Sequence, residues 1–329
     1  MKVKNLFKTL LLAGALAGMI GTAQAETLRF ASEAPRSDTQ FRAGEKFSEL
    51  LKAKTGGALD LKVFPDSSLG AFQAAISGVR GGTIDIIVSG SGNFAGLVPL
   101  MGIFDIPFMF KDTAHAYRVL DGKIGQDMLD RLEAYGMKGL AFWDNGWREL
   151  TNSRGPVRTP ADVKGLKVRT NGSPAHNETW KLLGAKPVPM PIGELYTALE
   201  MKTVDSQEQS LGLLYSGKFY EVQKYLSLTN HAYSALLVAM NKAKFDALSP
   251  AHQKAVIEAA QEAGAYQRKL NNDNVAKILA EVKKAGLQVI EKVDPAPFFE
   301  ASKPVRQMFT SKYGGEDYIK AVDAVRDAK

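Results

Sequence analysis

The segment Ala161-Asp162-Val163-Lys164-Gly165-Leu166-Lys167-Val168-Arg169-Thr170-Asn171 predicts the part of the fold on which the functional prediction depends. Gly165 indicates a turn before a short alternating strand, and the following Gly-Ser-Pro, 172–174, ends that strand and begins a helix. The pattern therefore places Arg169 at the end of a strand and beside a helix N-terminus.

An arginine in that position suits a small carboxylate ligand. The guanidinium of Arg169 offers a planar pair of donors that lysine cannot copy, and the helix N-terminus adds free N–H groups and a positive dipole end. The alternative is structural, since Arg169 could close a surface strand and pair with a neighbouring acid. The segment alone therefore leaves both a ligand-binding role and a structural role open for Arg169.

Residues 1–25 have the pattern of a signal peptide. Met1–Lys8 is basic, Leu10–Ile20 is an apolar run too short to span a bilayer comfortably, and Ala23-Gln24-Ala25 is a small-x-small cleavage site. We therefore predict export and a mature chain that begins at Glu26, rather than an uncleaved membrane anchor.

Composition excludes several classes of function. The formal charge of +7 falls to +4 without the three lysines of the signal segment, and no basic cluster remains, so we predict no nucleic-acid partner. The chain has no cysteine, which excludes a thiolate nucleophile, a disulfide framework and a cysteine metal site. With 45% hydrophobic residues it can build a large core, and its length suggests about two domains.

Strand and helix patterns alternate after the signal segment, which predicts an α/β fold with a parallel sheet and a ligand at the carboxyl ends of its strands. The first predicted strands are Thr27–Ser32, Leu59–Phe64 and Ile84–Val88, and the helices between them are Phe41–Lys54 and Phe72–Val79. Further strands are predicted at Lys138–Trp143, Lys224–Leu228 and Leu236–Met240. A helical pattern over Ala251–Ala285 is long enough to brace two lobes.

Two loops at strand ends carry polar groups. Residues 89–95, SGSGNFA, match a dinucleotide fingerprint in form, but Pro99 and Pro107 forbid the helix that should follow. We predict instead a glycine-rich loop that lets backbone approach a ligand closely. The loop Asn145–Arg148 follows a predicted strand and places a second arginine at a strand end.

No pattern of catalytic residues is evident. The histidines are scattered, with no metal-binding spacing, and His176 and His252 are predicted to face solvent on their helices. Nucleophile and phosphate-loop motifs are also absent from the sequence. This favours a binding protein over an enzyme, with no cofactor and no metal.

Several ordered segments resemble the extracytoplasmic solute-binding subunits of tripartite ATP-independent periplasmic (TRAP) transporters, in the C4-dicarboxylate-binding branch. The resemblance covers essentially the whole mature chain. It rests on 61–70 (LKVFPDSSLG), 82–85 (GTID), 106–108 (IPF), 162–169 (DVKGLKVR), 183–190 (LGAKPVPM), 194–199 (ELYTAL), 204–208 (VDSQE) and 221–225 (EVQKY).

The resemblance implies a two-lobed periplasmic binding protein fold with crossing strands and a long interdomain helix. The implied lobes are 26–146 with 235–274 for lobe I, and 147–234 with 275–329 for lobe II. It also implies a periplasmic, monomeric protein that delivers a small organic acid to TRAP membrane permease subunits.

The resemblance further implies which residues contact the ligand. Arg169 matches the arginine that pairs with the ligand carboxylate, and Arg148 matches a second arginine that often assists. Gln209 stands where many members have asparagine, which leaves open which ligand group this longer amide meets. The other implied pocket positions are Asn171, Asn93 and Phe72.

The identity of the acid stays open between a C4-dicarboxylate and a sugar acid. Two arginines fit a dicarboxylate, whereas several amides fit hydroxyl groups equally well. The rival classes are an exported hydrolase or lyase that uses Glu194, Glu208 or His231, and a ligand-sensing lobe that serves a membrane receptor.

Overall fold

The computed structural model describes residues 25–327, so the predicted signal peptide lies outside the described residues except for Ala25. The strands are β1 (Glu26–Ser32), β2 (Leu59–Phe64), β3 (Ile86–Gly90), β4 (Met137–Asn152), β5 (Lys167–Thr170), β6 (Lys186–Pro189), β7 (Ser206–Ser210), β8 (Tyr225–Asn241) and β9 (Gln288–Ile290). The helices are α1 (Thr39–Lys54), α2 (Phe72–Arg80), α3 (Thr113–Asp121), α4 (Lys123–Asp130), α5 (Pro174–Leu182), α6 (Leu195–Glu200), α7 (Leu211–Ser216), α8 (Lys242–Asp246), α9 (Pro250–Lys284), α10 (Pro295–Tyr313) and α11 (Glu316–Ala324).

The first strands and helices form as the sequence predicts. The apolar residues of β1 alternate inward, and the strand pairs in parallel with both β2 and β3. Helix α1 connects β1 to β2, and Asp38 caps its N-terminus by accepting a hydrogen bond from the amide of Gln40 at 2.9 Å. The strand–helix–strand order therefore gives the parallel sheet expected of an α/β fold.

The segment that contains Arg169 also folds as predicted. Gly165 has a φ of +74°, which allows the left-handed turn before β5. Strand β5 then pairs in parallel with β6 and β7, and α5 begins at Pro174. Arg169 thus lies one residue from the carboxyl end of its strand, close to the start of a helix.

Strands β4 and β8 are longer than the sequence predicts. The predicted loop at residues 145–148 is wrong, because β4 continues through it as a bulged strand, with register shifts between Asp144 and Gly146 and between Arg148 and Leu150. The two predicted strands at 224–228 and 236–240 are likewise one strand, β8. These two long antiparallel strands are the crossing strands of the predicted fold.

The nine strands of the described residues form one sheet in the order β2-β1-β3-β8-β4-β7-β5-β6, with β9 on β8. One end of β8 pairs with β3, and one end of β4 pairs with β7, so the sheet continues from one lobe into the other. Separate apolar clusters cover the two parts, one around Phe30 and Trp143 and another around Leu150 and Trp180. The fold is therefore two-lobed, with β4 and β8 shared.

Helix α9 packs against both lobes. Val256 and Ala260 lie in the first-lobe cluster around Trp143, whereas Val282 packs with Leu226 of the second lobe. The indole N–H of Trp143 donates to the carbonyl of Ala260 at 2.8 Å, and Gly264 leaves room for that ring. The helix therefore braces the lobes as predicted.

The C-terminal helices do not follow the predicted assignment of 275–329 to lobe II. Phe298, near the start of α10, packs in the second-lobe cluster, but Phe309, Ile319 and Val322 pack in a first-lobe cluster with Phe104. Helix α10 therefore crosses back from lobe II to lobe I, and α11 belongs with lobe I.

Every helix of residues 25–327 falls short of the length or apolar character that a membrane crossing needs.

Candidate functional site

A cavity lies where the carboxyl ends of β1, β3, β5 and β7 meet between the lobes. Strand ends at this edge carry exposed backbone groups and short loops, which is why ligands bind there in open α/β sheets. The structure brings all six predicted site residues to this cavity: Arg169, Arg148, Gln209, Asn171, Asn93 and Phe72.

Arg169 is buried and keeps one nitrogen without a partner. Its Nε and Nη2 atoms donate to the carbonyl of Met190 at 3.0 and 2.7 Å. Its Nη1 atom is buried and has no hydrogen-bond partner among the described residues. Burial, together with the charge of Arg148, lowers the pKa of Arg169 to about 10. The cavity wall thus holds a desolvated cation with an unused donor, which an anion would satisfy.

Arg148 also lines the cavity, but its five N–H donors are all engaged. Nε and Nη2 bind the carboxylate of Glu208, and Nη2 also donates to the Glu208 carbonyl at 2.7 Å. Nη1 donates to Gln209 Oε1 and to Ser234 Oγ, both at 3.1 Å. A ligand contact by Arg148 would therefore have to displace one of these bonds, so its assisting role stays a prediction.

Glu208 is the buried counter-ion of Arg148. Burial alone would raise the pKa of Glu208, but the charges of Arg148 and His176 and the hydrogen bond from His231 hold it well below its usual range. The imidazole of His231 lies 3.3 Å from Glu208 Oε2 and 2.8 Å from Thr229 Oγ1. Glu208 is thus an ionised structural partner.

The predicted solvent exposure of His176 is wrong. Its ring is buried beneath the cavity, with Nδ1 3.1 Å from Asn171 Oδ1 and Nε2 3.8 Å from Asp105 Oδ1. Burial lowers the pKa of His176, although the nearby carboxylates of Asp105 and Glu208 oppose this effect. The sequence pattern missed this because α5 lies between the two lobes, so its polar face also packs against protein.

The first lobe supplies polar residues that sequence reasoning missed. Glu33 follows β1 directly, and its carboxylate accepts from the amide of Phe72 at 3.1 Å and from Ser89 Oγ at 3.3 Å. Gln40 and Ser234 also line the cavity. For Glu33 and Ser89 the sequence offered one signal, their position, because each lies at the end of one of two neighbouring strands in the predicted sheet.

The glycine-rich loop after β3 packs against the second lobe. A methyl group on Gly92 would lie 1.9 Å from Asp105 Oδ2 and 3.1 Å from the Cβ atom of Ser173. A methyl group on Gly172 would lie 4.0 Å from the ring of Phe72 across the cavity. The lobes are therefore in contact at the cavity rim, and Gly92 allows that close approach.

None of the residues named for an enzymatic alternative lines this cavity. Glu194 is exposed on the second lobe, and Glu208 and His231 are bound to each other beneath the floor. Within residues 25–327, no three histidine, aspartate or glutamate side chains are grouped as ligands of a metal.

A two-lobed α/β fold with a polar cavity between its lobes defines a solute-binding protein as a class. The family model described as DctP, bacterial extracellular solute-binding protein, family 7, matches residues 30–312. The chain belongs to this family of TRAP solute-binding proteins.

Known relatives of this family are similar over nearly the whole chain. The 2,3-diketo-L-gulonate-binding periplasmic protein YiaO of Escherichia coli K12 is 52% identical over 99% of this chain and 100% of its own length. A TRAP protein from Polaromonas sp. JS666 bound to D-erythronate has a TM-score of 0.89 and 38% identity, and covers 92% of this chain and 100% of its own. Another, from Sulfurospirillum deleyianum with bound succinate, has a TM-score of 0.86 and 31% identity, and covers 92% and 99%.

Proposed function

We propose that this protein captures a small organic acid by its carboxylate on Arg169 and delivers it, as a periplasmic monomer, to TRAP membrane permease subunits. The observation that carries the proposal is the buried Nη1 atom of Arg169, a residue that lines the cavity; this atom has no hydrogen-bond partner among the described residues. A ligand carboxylate would complete the guanidinium and neutralise its charge.

The relatives support an acid ligand but differ in its chemistry. Those reported above are described with 2,3-diketo-L-gulonate, D-erythronate and succinate, which share a carboxylate and differ in hydroxyl, keto and second carboxylate groups. A carboxylate on Arg169 is the feature that would be common to all three. Binding without catalysis agrees with a family of solute-binding proteins and with a cavity that Glu194, Glu208 and His231 do not line.

Substitution of Arg169 tests the proposal. A thermal-shift screen with D-erythronate, succinate and 2,3-diketo-L-gulonate first selects the acid that raises the melting temperature most. Arg169→Ala should lower the affinity for that acid, measured by calorimetry, by at least about 100-fold. The reason is that each charged hydrogen bond contributes roughly 1.5–3 kcal/mol to binding. Arg169→Lys should recover part of the affinity, since it restores charge but not the planar fork.

Arg158→Ala is the matched control, because Arg158 is exposed on the same lobe. The control should bind the selected acid like the wild type. Equal affinity of Arg169→Ala and wild type would contradict the proposal, and chemical conversion of the acid during incubation would favour the enzymatic alternative instead.

A further inference from the structure

Glu33 is an acidic residue on the first-lobe wall of a cavity proposed to hold an anion. Its carboxylate oxygens accept from the Phe72 amide and from Ser89 Oγ, and within residues 25–327 it forms no ion pair with lysine, arginine or histidine. Both of these donors are neutral, so the Glu33 carboxyl group lines the cavity without a bonded counter-ion.

Asn93 adds a second acceptor to the same wall. Its Nδ2 atom donates to Ser89 Oγ at 2.8 Å, which fixes the amide so that Oδ1 is its remaining polar atom. That Oδ1 atom is buried and has no partner in the described part of the chain. A buried acceptor is satisfied by an O–H or N–H donor, so this wall favours a ligand that brings hydroxyl groups.

The charges around the cavity match one ligand carboxylate better than two. Arg148 is neutralised by Glu208, which leaves Arg169 as the cation with an unused donor on the described cavity wall. A first carboxylate pairs with Arg169. A second carboxylate on the same small ligand would meet Glu33 and the Oδ1 atom of Asn93, where it finds repulsion rather than donors.

We propose that Glu33 sets the ligand class of this protein: it accepts a hydroxyl group of a polyhydroxy monocarboxylate, a sugar acid, and rejects dicarboxylates. The proposal rests on the proposed function above, because it takes the ligand carboxylate to lie on Arg169. Glu33 is then a specificity-determining residue that contacts the far end of the ligand.

The electrostatics of Glu33 agree with this role. Burial raises the pKa of Glu33, and the Phe72 amide, the charge of Arg169 and the Ser89 hydroxyl offset part of that effect. A ligand hydroxyl would replace the hydration that the carboxylate has lost, whereas a ligand carboxylate cannot donate a hydrogen bond.

A pair of four-carbon acids tests the proposal with the smallest chemical difference. D-Erythronate and meso-tartrate share the carboxylate and both inner hydroxyls, and differ only in a terminal hydroxymethyl group against a second carboxylate. At pH 8 we expect the wild type to bind D-erythronate at least about 30-fold more tightly than meso-tartrate by calorimetry.

Glu33→Gln removes the charge and keeps the shape of the side chain. We expect it to bring the two affinities within about threefold of each other, mainly through tighter binding of meso-tartrate, because the repulsion is lost. Glu45→Gln is the matched control, since Glu45 is exposed on α1 of the same lobe, and it should keep the wild-type ratio. Melting temperatures without ligand establish that each variant is folded.

The outcomes separate this proposal from the proposed function. Equal wild-type affinity for the two acids, or an unchanged ratio in a folded Glu33→Gln variant, overturns the role of Glu33 and leaves Arg169 as the carboxylate site. Failure of the wild type to bind either acid overturns both proposals for these ligands. If Glu33→Gln does not fold, the wild-type ratio still tests the ligand class, and equal affinities for the two acids overturn the proposal.

Discussion

Arg148 and Arg169 are both almost fully buried at the same cavity, yet they have opposite surroundings. Arg148 lies on a crossing strand, and its five donors are used by Glu208, Gln209 and Ser234. Arg169 lies at the end of a short strand, and one of its nitrogens has no partner among the described residues. An arginine whose donors are all hydrogen-bonded to neighbouring strands holds those strands together. An arginine with a donor left over is available to a ligand.

The same contrast separates two buried carboxylates on neighbouring strands. Glu208 on β7 pairs with Arg148, and that charge helps to hold its pKa well below the usual range. Glu149 on β4 has no basic side chain among the causes of its shift, and burial raises its pKa to about 8, although the amides of Asn230 and Thr229 offset part of this. A bonded counter-ion therefore decides the direction of the shift at equal burial.

The largest expected effect on stability comes from removing one member of the buried ion pair between Arg148 and Glu208. Arg148→Met should lower the free energy of unfolding by about 3–5 kcal/mol, because it leaves the buried charge of Glu208 without its arginine partner. Arg169→Met should change it by less than about 1 kcal/mol, since it removes an unpaired buried cation. Urea unfolding without ligand measures both values.

The double variant Arg148→Met with Glu208→Leu serves as a control for the cause of that loss. It should recover much of the stability, because the orphaned charge is removed together with its partner. Equal destabilisation by Arg148→Met and Arg169→Met would show that the two arginines are structurally equivalent, and would contradict a structural role for Arg148 alone.

A smaller effect should appear in the pH dependence of stability. In the folded state burial raises the pKa of Glu149 to about 8, whereas the unfolded chain releases the proton near the ordinary glutamate pKa of 4.5. Between these values the native state binds more protons, so unfolding free energy contributed by this group falls as pH rises, by up to about 3 kcal/mol. Glu149→Gln should flatten this slope in urea titrations between pH 5 and pH 8.

Asp144 and Glu149 both line a second cavity, and burial raises the pKa of Asp144 as well. It is unchanged in Glu149→Gln, so the difference between the two slopes isolates Glu149. Identical slopes for wild type and variant would contradict the assignment of the raised pKa to this residue.

Local patterns in the sequence were sufficient for the elements that decide the architecture. The turn at Gly165, the strand that carries Arg169 and the long helix α9 follow from residue spacing and caps alone. The full length of the two crossing strands was missed, because Gly146 and Asn230 resemble turn residues and instead form irregular points within β4 and β8. Long-range pairing between two strands stabilises them there, and no local pattern records it.

The site was predictable in its membership but not in its bonding. The family resemblance indicated the six predicted residues that the cavity brings together. It did not indicate that Glu208 saturates Arg148, that His176 is buried, or that Glu33 lies on the opposite wall. Each of these depends on which side chains meet across the two lobes, and a single charged residue in the sequence carries no sign of its future partner.

A crystal structure of the protein with its bound acid tests the central claim most directly. We predict a ligand carboxylate oxygen within about 2.7–3.0 Å of Arg169 Nη1, while Arg148 keeps its bonds to Glu208. A ligand carboxylate bound elsewhere in the cavity, with Arg169 Nη1 still lacking a partner, would contradict the account.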